Sequence, residues 1–319
     1  MLQGMKVVVT GSHGLIGSSL TAALNAKGHT VVRLTHTQAG AHNSRAFSAA
    51  RGNPGINATW DIPKGELSEK IFDDVGAVVH LAGAGIGDKR WSSSRKSEIL
   101  QSRTLSTRLM ATVLAGLRDP PPVLLSASAV GYYGDCGDNI LTESSPLGTG
   151  FLAGVCNAWE EATAPAKEAG IRVVLLRTGI VQSPSGGMLA RILPLFRMGL
   201  GGHMGSGRHY ISWISIAEEV RAIEHAIAEE SLFGPVNLTA PNPVTAADYA
   251  RTLAAVLGRR PRFHVPASAL KILMGADMAR ELLLSSQRAL PSKIEDSGFA
   301  FKWPDLEGAL TSLLEVNDS

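Results

Sequence analysis

The sequence predicts an α/β protein: a Rossmann-like, doubly wound parallel sheet with a smaller, mostly helical C-terminal part that would hold substrate. Three observations predict it. Short β-branched and apolar runs alternate with helix-length amphipathic segments over the first 180 residues, the rhythm of βαβ units and of a sheet covered on both faces. The first of these runs opens into the glycine turn TGSHGLIG, which leads straight into a helix. After Gly179 the alternation stops and Gly-rich and helical segments take over.

Taken in order, MKVVVT (5–10) is a β-branched strand, and LIGSSLTAALNAKGH is a helix that ends at Gly28, a plausible C-cap. TVVRLT (30–35) is the second strand, and the polar, Gly-rich stretch 36–57 reads as loop. GAVVHLAG (76–83) is a buried strand, followed by the long helix SSSRKSEILQSRTLSTRLMATVLAGL. PPVLLSAS (121–128) and IRVVLLRTG (171–179) are strands, with a helix beginning in GTGFLAGVCNAWEEA between them. Beyond them come a Gly-rich stretch with one short helix, the helix of SWISIAEEVRAIEHAIAEE, the strand PVNLTA and a helix over 246–257. The tail from Pro266 is mostly helical, with GFAFKWP as a turn or strand. The expected division is a nucleotide-binding domain over 1–180, to which 211–240 returns, and a smaller part over 181–319.

Composition narrows the function classes. Of 319 residues, 45% are hydrophobic and 18% charged, ordinary for a globular protein with ample core. The net charge of +2 is spread along the chain, which argues against a nucleic-acid partner. There is no run of 18 apolar residues, so no membrane span is expected. The first strand begins at once, leaving no room for a signal peptide, and the two cysteines fit a reducing, cytoplasmic setting. No two of the nine histidines stand at metal-ligand spacing, so no metal is expected.

The strongest local signal is the pattern T-G-x-x-G-x-x-G, with Gly11, Gly14 and Gly17 and with Leu15 and Ile16 between the last two. The chain must turn sharply at Gly11, approach a pyrophosphate closely at Gly14 and pack helix on sheet at Gly17. Three turn glycines of an ordinary α/β fold are the plainer alternative. At the end of the second strand stand Thr35 and His36, with no carboxylate to bind a ribose 2′-hydroxyl. Both could donate to a phosphate, so NADP is favoured over NAD. Leu81, Ala82 and Gly83 would let the backbone pass beside the adenosine half of the cofactor. On the long helix, Glu98 and Arg103 would face the cofactor or form an ion pair on the surface.

These residues, together with HLAGAGIGDKRW, QSRTLST, SASAVGYYG, CNAWEEA, LLRTGIV, GGMLARILPLFRMGLGG, GSGRHYISWISI, NLTAPNPVT, LGRRPRFHVP and LPSKIEDSGFAFKWPDLEGAL, span nearly the whole chain. The chain resembles an extended short-chain dehydrogenase/reductase of the nucleotide-sugar-epimerase type. Within it, the likeness is to the atypical epimerase-family branch, some members of which carry a cell division inhibitor label. The resemblance implies an NADP(H)-binding Rossmann-like domain and a C-terminal part that closes over a substrate cleft. It also implies cofactor contacts from Gly11, Gly14, Gly17, Thr35, His36, Leu81, Ala82, Glu98 and Arg103, and from Val181 in the loop after a later strand. Two departures stand out: His36 where the branch has Arg, and Ser215 where it has His.

Ordinary extended members use a Ser or Thr to polarise the substrate carbonyl, a Tyr as acid/base and a Lys that lowers the Tyr pKa. Ser128 matches the first. Aligned through Glu160, the Tyr and Lys positions fall on Leu152 and Cys156. Cys156 is an inert small hydrophobe or, alternatively, a thiolate. Tyr132 and Tyr133 follow Ser128 closely, as loop packing or as replacement acids; the catalytic expectation is Ser128 orienting and Tyr133 donating the proton. Arg191, Arg197 and Arg208 flank the Gly-rich stretch and suit an anionic substrate. Two readings remain: an NADP-dependent oxidoreductase or epimerase with altered acid/base residues, or an NADP(H)-binding regulatory protein without turnover.

Overall fold

The computed structural model describes residues 4–37, 56–260 and 263–315. The chain runs β1 (Lys6–Thr10), α1 (Leu15–Ala26), β2 (Thr30–His36), β3 (Ile56–Trp60), β4 (Val75–His80), α2 (Ser93–Gly116), β5 (Val123–Ala129), α3 (Phe151–Glu161), α4 (Ala164–Glu168) and β6 (Arg172–Thr178). It continues with α5 (Gly187–Arg197), α6 (Ile216–Ala228), β7 (Gly234–Leu238) and α7 (Ala246–Val256).

The seven strands form one sheet in the order β7-β6-β5-β4-β1-β2-β3, every pair parallel. Strands buried on both faces need apolar residues at successive positions, which is why VVV, AVV and VLL runs recur. Val7, Val9, Leu125, Val174 and Leu176 face α1 and α6, while Val8, Val78 and Leu124 face α2 and α4. A third core, with Leu189, Phe196, Trp213, Tyr249 and Leu310, joins α5, α7 and the last helix, Leu306–Glu315.

Between β1 and β4 the strand order reverses, and the crevice beyond their carboxyl ends is where open α/β sheets take ligands. Helix α1 stops where Gly28 takes φ +81°. Ser215 caps α6, its hydroxyl accepting the Glu218 N–H at 3.2 Å; this is the use the fold makes of a position where the resembled branch has His.

One finding differs from the sequence reading. A strand begins at Ile56, where loop was expected through residue 57, because pairing with β2 outweighs a polar composition. The rest of that expected loop, 38–55, lies outside the described residues. Of the two alternatives for GFAFKWP (298–304), the structure shows a turn at Gly298 followed by irregular backbone, and no strand. The tail is helical over Ala267–Met274, Ala276–Met278 and Ser292–Asp296, with a π-helical turn over Ala279–Leu284. Among the described residues no helix is long and apolar enough to cross a membrane.

Candidate functional site

The turn after β1 is shaped by its glycines. Gly11 has φ +65°, and a Cβ there would stand 2.8 Å from the Leu81 carbonyl. The Gly14 N–H closes the turn on the Gly11 oxygen at 2.9 Å. A Cβ on Gly17 would run into that same oxygen, so α1 packs this closely only without a side chain. Within the turn, the Ser12 hydroxyl is buried and has no protein partner.

The neighbouring strand end is held by a buried polar chain. Thr10 Oγ1 accepts the N–H groups of Leu81 and Ala82 at 3.1 and 3.2 Å. Its own proton therefore goes to His80 Nδ1, 2.8 Å away, which leaves His80 Nε2 as the donor to Thr107 Oγ1 at 3.0 Å. Thr107 also accepts from Trp159 Nε1 at 3.0 Å. Burial drives the His80 pKa down to about 4, so the ring is neutral. Past Gly83, Ser102 Oγ accepts the Ala84 N–H at 3.1 Å, and Arg103 donates to the Ala84 carbonyl at 2.9 Å. Arg103 thus braces the loop, its guanidinium 4.9 Å from the Trp159 ring centre, and is not among the residues that line the cleft described next.

A cleft of about 470 Å³ opens over these segments. Of the residues expected from sequence it is lined by Gly11, Gly14, Thr35, His36, Ala82, Gly83 and Glu98. Leu15, Ile16, Gly17, Leu81 and Val181 lie outside it; Ile16, Leu81 and Val181 pack on the core beneath. Glu98 pairs with Arg95 at 2.7 Å rather than with Arg103, and that hydrogen bond pulls its carboxyl below the usual range. Leu34, Ala84 and Ser102 also line it, as do His13, Trp60, Ile62, Pro63, Gln101 and Leu105, which were not expected. Trp60 and Ile62 escaped notice because β3 itself was partly read as loop.

At the end of β5, Ser128 Oγ donates to Glu160 Oε1 at 2.7 Å. Arg177, near the carboxyl end of β6, grips the same carboxylate through Nε at 2.8 Å and Nη2 at 2.9 Å. Burial alone would lower the Arg177 pKa, but the hydrogen bonds and charge of Glu160 hold it above the usual guanidinium range. Arg177 Nη1 also donates to the Tyr133 hydroxyl at 3.1 Å, and Tyr133 donates to Asn237 Oδ1 at 2.7 Å. Tyr133 is wholly buried, and burial pushes its phenol up to about 12. Tyr133 therefore does not turn to the cleft, as its expected role as proton donor requires. The ring points inward and ties β5, β6 and β7 together.

Helix α3 carries neither Tyr nor Lys. Leu152 spends its N–H on Glu281 at 2.8 Å. Cys156 lies beneath Gly131, and burial, reinforced by Glu160, drives its thiol up to about 12. The sequence signal missed here was Arg177 itself, a charge inside the apolar run VVLLRT. Arg191 donates to the Gly87 carbonyl at 2.9 Å and pairs with Asp88 at 3.2 Å; Arg197 and Arg208 are exposed.

The NAD dependent epimerase/dehydratase family matches residues 7–238, and a domain of unknown function, DUF1731, matches residues 265–313. An epimerase family protein of Mycobacterium bovis is 44% identical over 295 residues, 92% of this chain and 93% of that protein. A chloroplastic epimerase family protein SDR39U1 homolog of Arabidopsis thaliana is 36% identical, covering 98% of this chain and 87% of its own. The crystal structure of human epimerase family protein SDR39U1 with NADPH is 31% identical. It superposes with a TM-score of 0.85, covering 98% of this chain and 99% of that one.

Proposed function

The chain belongs to the NAD dependent epimerase/dehydratase family, and from that premise we propose that it binds NADP(H) at the carboxyl edge of its sheet and acts on a small carbonyl or hydroxyl substrate. The observation that carries the cofactor choice is the cleft wall at the end of β2, where Thr35 and His36 stand and no carboxylate does. The glycine turn fits a pyrophosphate: a Cβ at Gly11 would clash, and the buried Ser12 hydroxyl has no protein partner. Binding of NADPH by the human relative, 31% identical, supports the same choice.

In this reading Gly11, Gly14, Leu15, Ile16 and Gly17 carry the pyrophosphate turn, Thr35 and His36 face the 2′-phosphate, and Ala82, Gly83 and Glu98 border the adenosine, with Leu81 packed beneath them. Val181 supports the far side from the core, and Arg103 acts through Ala84. NADP(H) supplies hydride exchange when bound. Ser128 is the orienting group. Its proton is committed to Glu160, so its oxygen is disposed to accept from a substrate hydroxyl. Arg177 holds Glu160 by two hydrogen bonds, so the carboxylate that takes the Ser128 proton is fixed in place. Tyr133 is assigned to the fold, not to proton transfer, because its hydroxyl has two protein partners and no exposure. A reducing, cytoplasmic setting belongs to this proposal, supported by two unpaired cysteines.

The second reading, an NADP(H)-binding regulatory protein without turnover, is favoured by one observation. Neither buried candidate acid, Tyr133 or Cys156, presents a proton to the cleft. Thermal melts with NADPH and NADH test the cofactor. At a hundredfold excess over Kd the bound dinucleotide should add about 2.7 kcal/mol, a rise of roughly 2–4 °C. A larger rise with NADH would overturn the 2′-phosphate assignment. Steady consumption of NADPH with any nucleotide sugar or small carbonyl compound would decide for the enzyme.

A further inference from the structure

Positive charge is spread along the chain, but negative charge is not. None of the 28 Asp and Glu residues falls in 169–217 or in 249–276, whereas ten of the 30 Lys and Arg residues do. The fold brings these two stretches together. Phe263–Val265 pairs in parallel with Gly202–Met204, and a Cβ on Gly202 would run into the Phe263 carbonyl, so the two backbones close on each other. Arg259 Nε donates to the Arg197 carbonyl at 3.1 Å, which joins the end of α7 to the end of α5.

Both helices stop in the same way. Gly199 at φ +74° and Gly258 at φ +63° take the left-handed turn. The residue after each bonds back into its helix, the Leu200 N–H to the Leu195 oxygen at 2.9 Å and the Arg259 N–H to the Ala254 oxygen at 2.7 Å. One helix end thus presents Leu200 beside Leu195, and the other presents Arg259. Between them lies a hollow of about 500 Å³, lined by Met198, Leu200, Phe263, Arg259 and Arg260 and by the two glycines, with no Asp or Glu.

The apolar side chains here face outward. Met198 is 64% exposed, Phe263 53% and Leu200 50%. Leu195 lies three residues before Met198 at the end of α5, and Val265 two residues after Phe263 on a strand, so these two exposed residues extend the same faces. Five of the twelve large apolar side chains exposed among the described residues therefore stand at this one place. Exposed apolar groups rimmed by charge mark a contact surface.

We propose that this face docks on an anionic bilayer: Leu195, Met198, Leu200, Phe263 and Val265 enter the headgroup boundary, and Arg259 and Arg260 meet lipid phosphates. Charge selects the occupant. A tract without carboxylates that continues well beyond the hollow gives a field of one sign, which a surface negative throughout rewards more than a single acidic segment does. A protein partner would call for anchors sunk in matched pockets, whereas these side chains project, as shallow insertion requires. Arginine stems lie along apolar surface while their guanidinium groups reach the phosphates. The cofactor cleft shares none of these residues, so docking and NADP(H) binding are separate properties.

Flotation of the full chain with large vesicles tests it. Vesicles of equal parts phosphatidylglycerol and phosphatidylcholine should carry the protein at about 0.05 M salt and release it at about 0.5 M. Vesicles of phosphatidylcholine alone should not carry it. Arg259→Gln with Arg260→Gln should lower the partition roughly twentyfold. Met198→Ser with Phe263→Ser should lower it by about tenfold or more. Lys70→Gln with Arg118→Gln, an equal loss of exposed charge elsewhere, should change it by less than about twofold. Melting temperature and NADPH affinity should stay native in every variant, because no altered side chain is buried or lines the cofactor cleft. No binding to the anionic vesicles overturns the proposal. Equal binding to both kinds of vesicle also overturns it, as does an equal loss in the Lys70 and Arg118 pair, which marks net charge alone. If vesicles fail and a poly-glutamate peptide binds unless Arg259 and Arg260 are replaced, the occupant is an acidic protein and the bilayer is overturned.

Discussion

Thr178 Oγ1 donates to Glu219 Oε1 at 2.9 Å inside the layer between the sheet and α6, and the other Glu219 oxygen has no partner. Glu219 has no solvent exposure, and burial drives its pKa up to about 8. A neutral carboxylic acid is the form that the interior accepts.

This sets the pH dependence of stability. Glu219 keeps its proton when folded and sheds it when unfolded above about 4.5, so its contribution is complete below that pH and is lost as pH rises towards about 8. His80 has the opposite sign. It is held neutral down to about 4 when folded and titrates near 6.5 when unfolded, so stability falls as pH drops from about 6.5 to about 4. The two slopes, each roughly 1.4 kcal/mol per pH unit, cancel between about 4.5 and 6.5. Urea denaturation should give a plateau there and losses on both sides. Glu219→Gln should remove the alkaline loss; an unchanged alkaline limb would refute the assignment.

Removing one member of the Glu160–Arg177 pair strands a buried charge. Glu160→Ala should cost about 3–5 kcal/mol, and Arg177→Met about as much. The double variant Glu160→Leu with Arg177→Met should cost far less than the sum. Denaturant midpoints for the full cycle give the coupling, and additivity would mean the pair is solvated.

Gly14 and Gly17 should separate binding from folding. A Cβ at Gly14 meets only the Gly11 oxygen, at 3.2 Å, and its φ of −72° suits any residue. Gly14→Val should therefore leave circular dichroism near native while abolishing NADPH affinity. Gly17→Ala forces α1 off the turn and should lower the melting temperature itself. Retained affinity in Gly14→Val would make the turn purely structural.

Cys156 should behave as core. Its thiol is buried and far from thiolate at neutral pH, so a thiol reagent should label it only on unfolding, well after the partly exposed Cys136. Cys156→Ala should leave any turnover within a few-fold. A loss beyond about a hundredfold in kcat/KM, about 2.7 kcal/mol, would make it a catalytic thiol.

The nucleotide end of the site was legible in the chain because it is built by backbone. A turn that needs positive φ at Gly11, a helix start with no room at Gly17 and a strand end without a carboxylate each leave a mark at one place in the sequence. The strand rhythm likewise follows from burial on both faces, and it marks a parallel sheet without giving the order of its strands.

The rest was settled only when the fold closed. Ser128, Glu160 and Arg177 come from three elements, and their meeting depends on which face of each strand looks at α3. Sequence spacing placed Tyr133 near Ser128, yet pleat direction and the neighbours Asn237 and Arg177 turned its hydroxyl inward. Glu281 caps a helix that begins 130 residues earlier. Local patterns record what the backbone requires of each residue. Which side chains then share a proton or a charge is decided by strand order and by which faces the closed fold brings together, and no short window of sequence contains either.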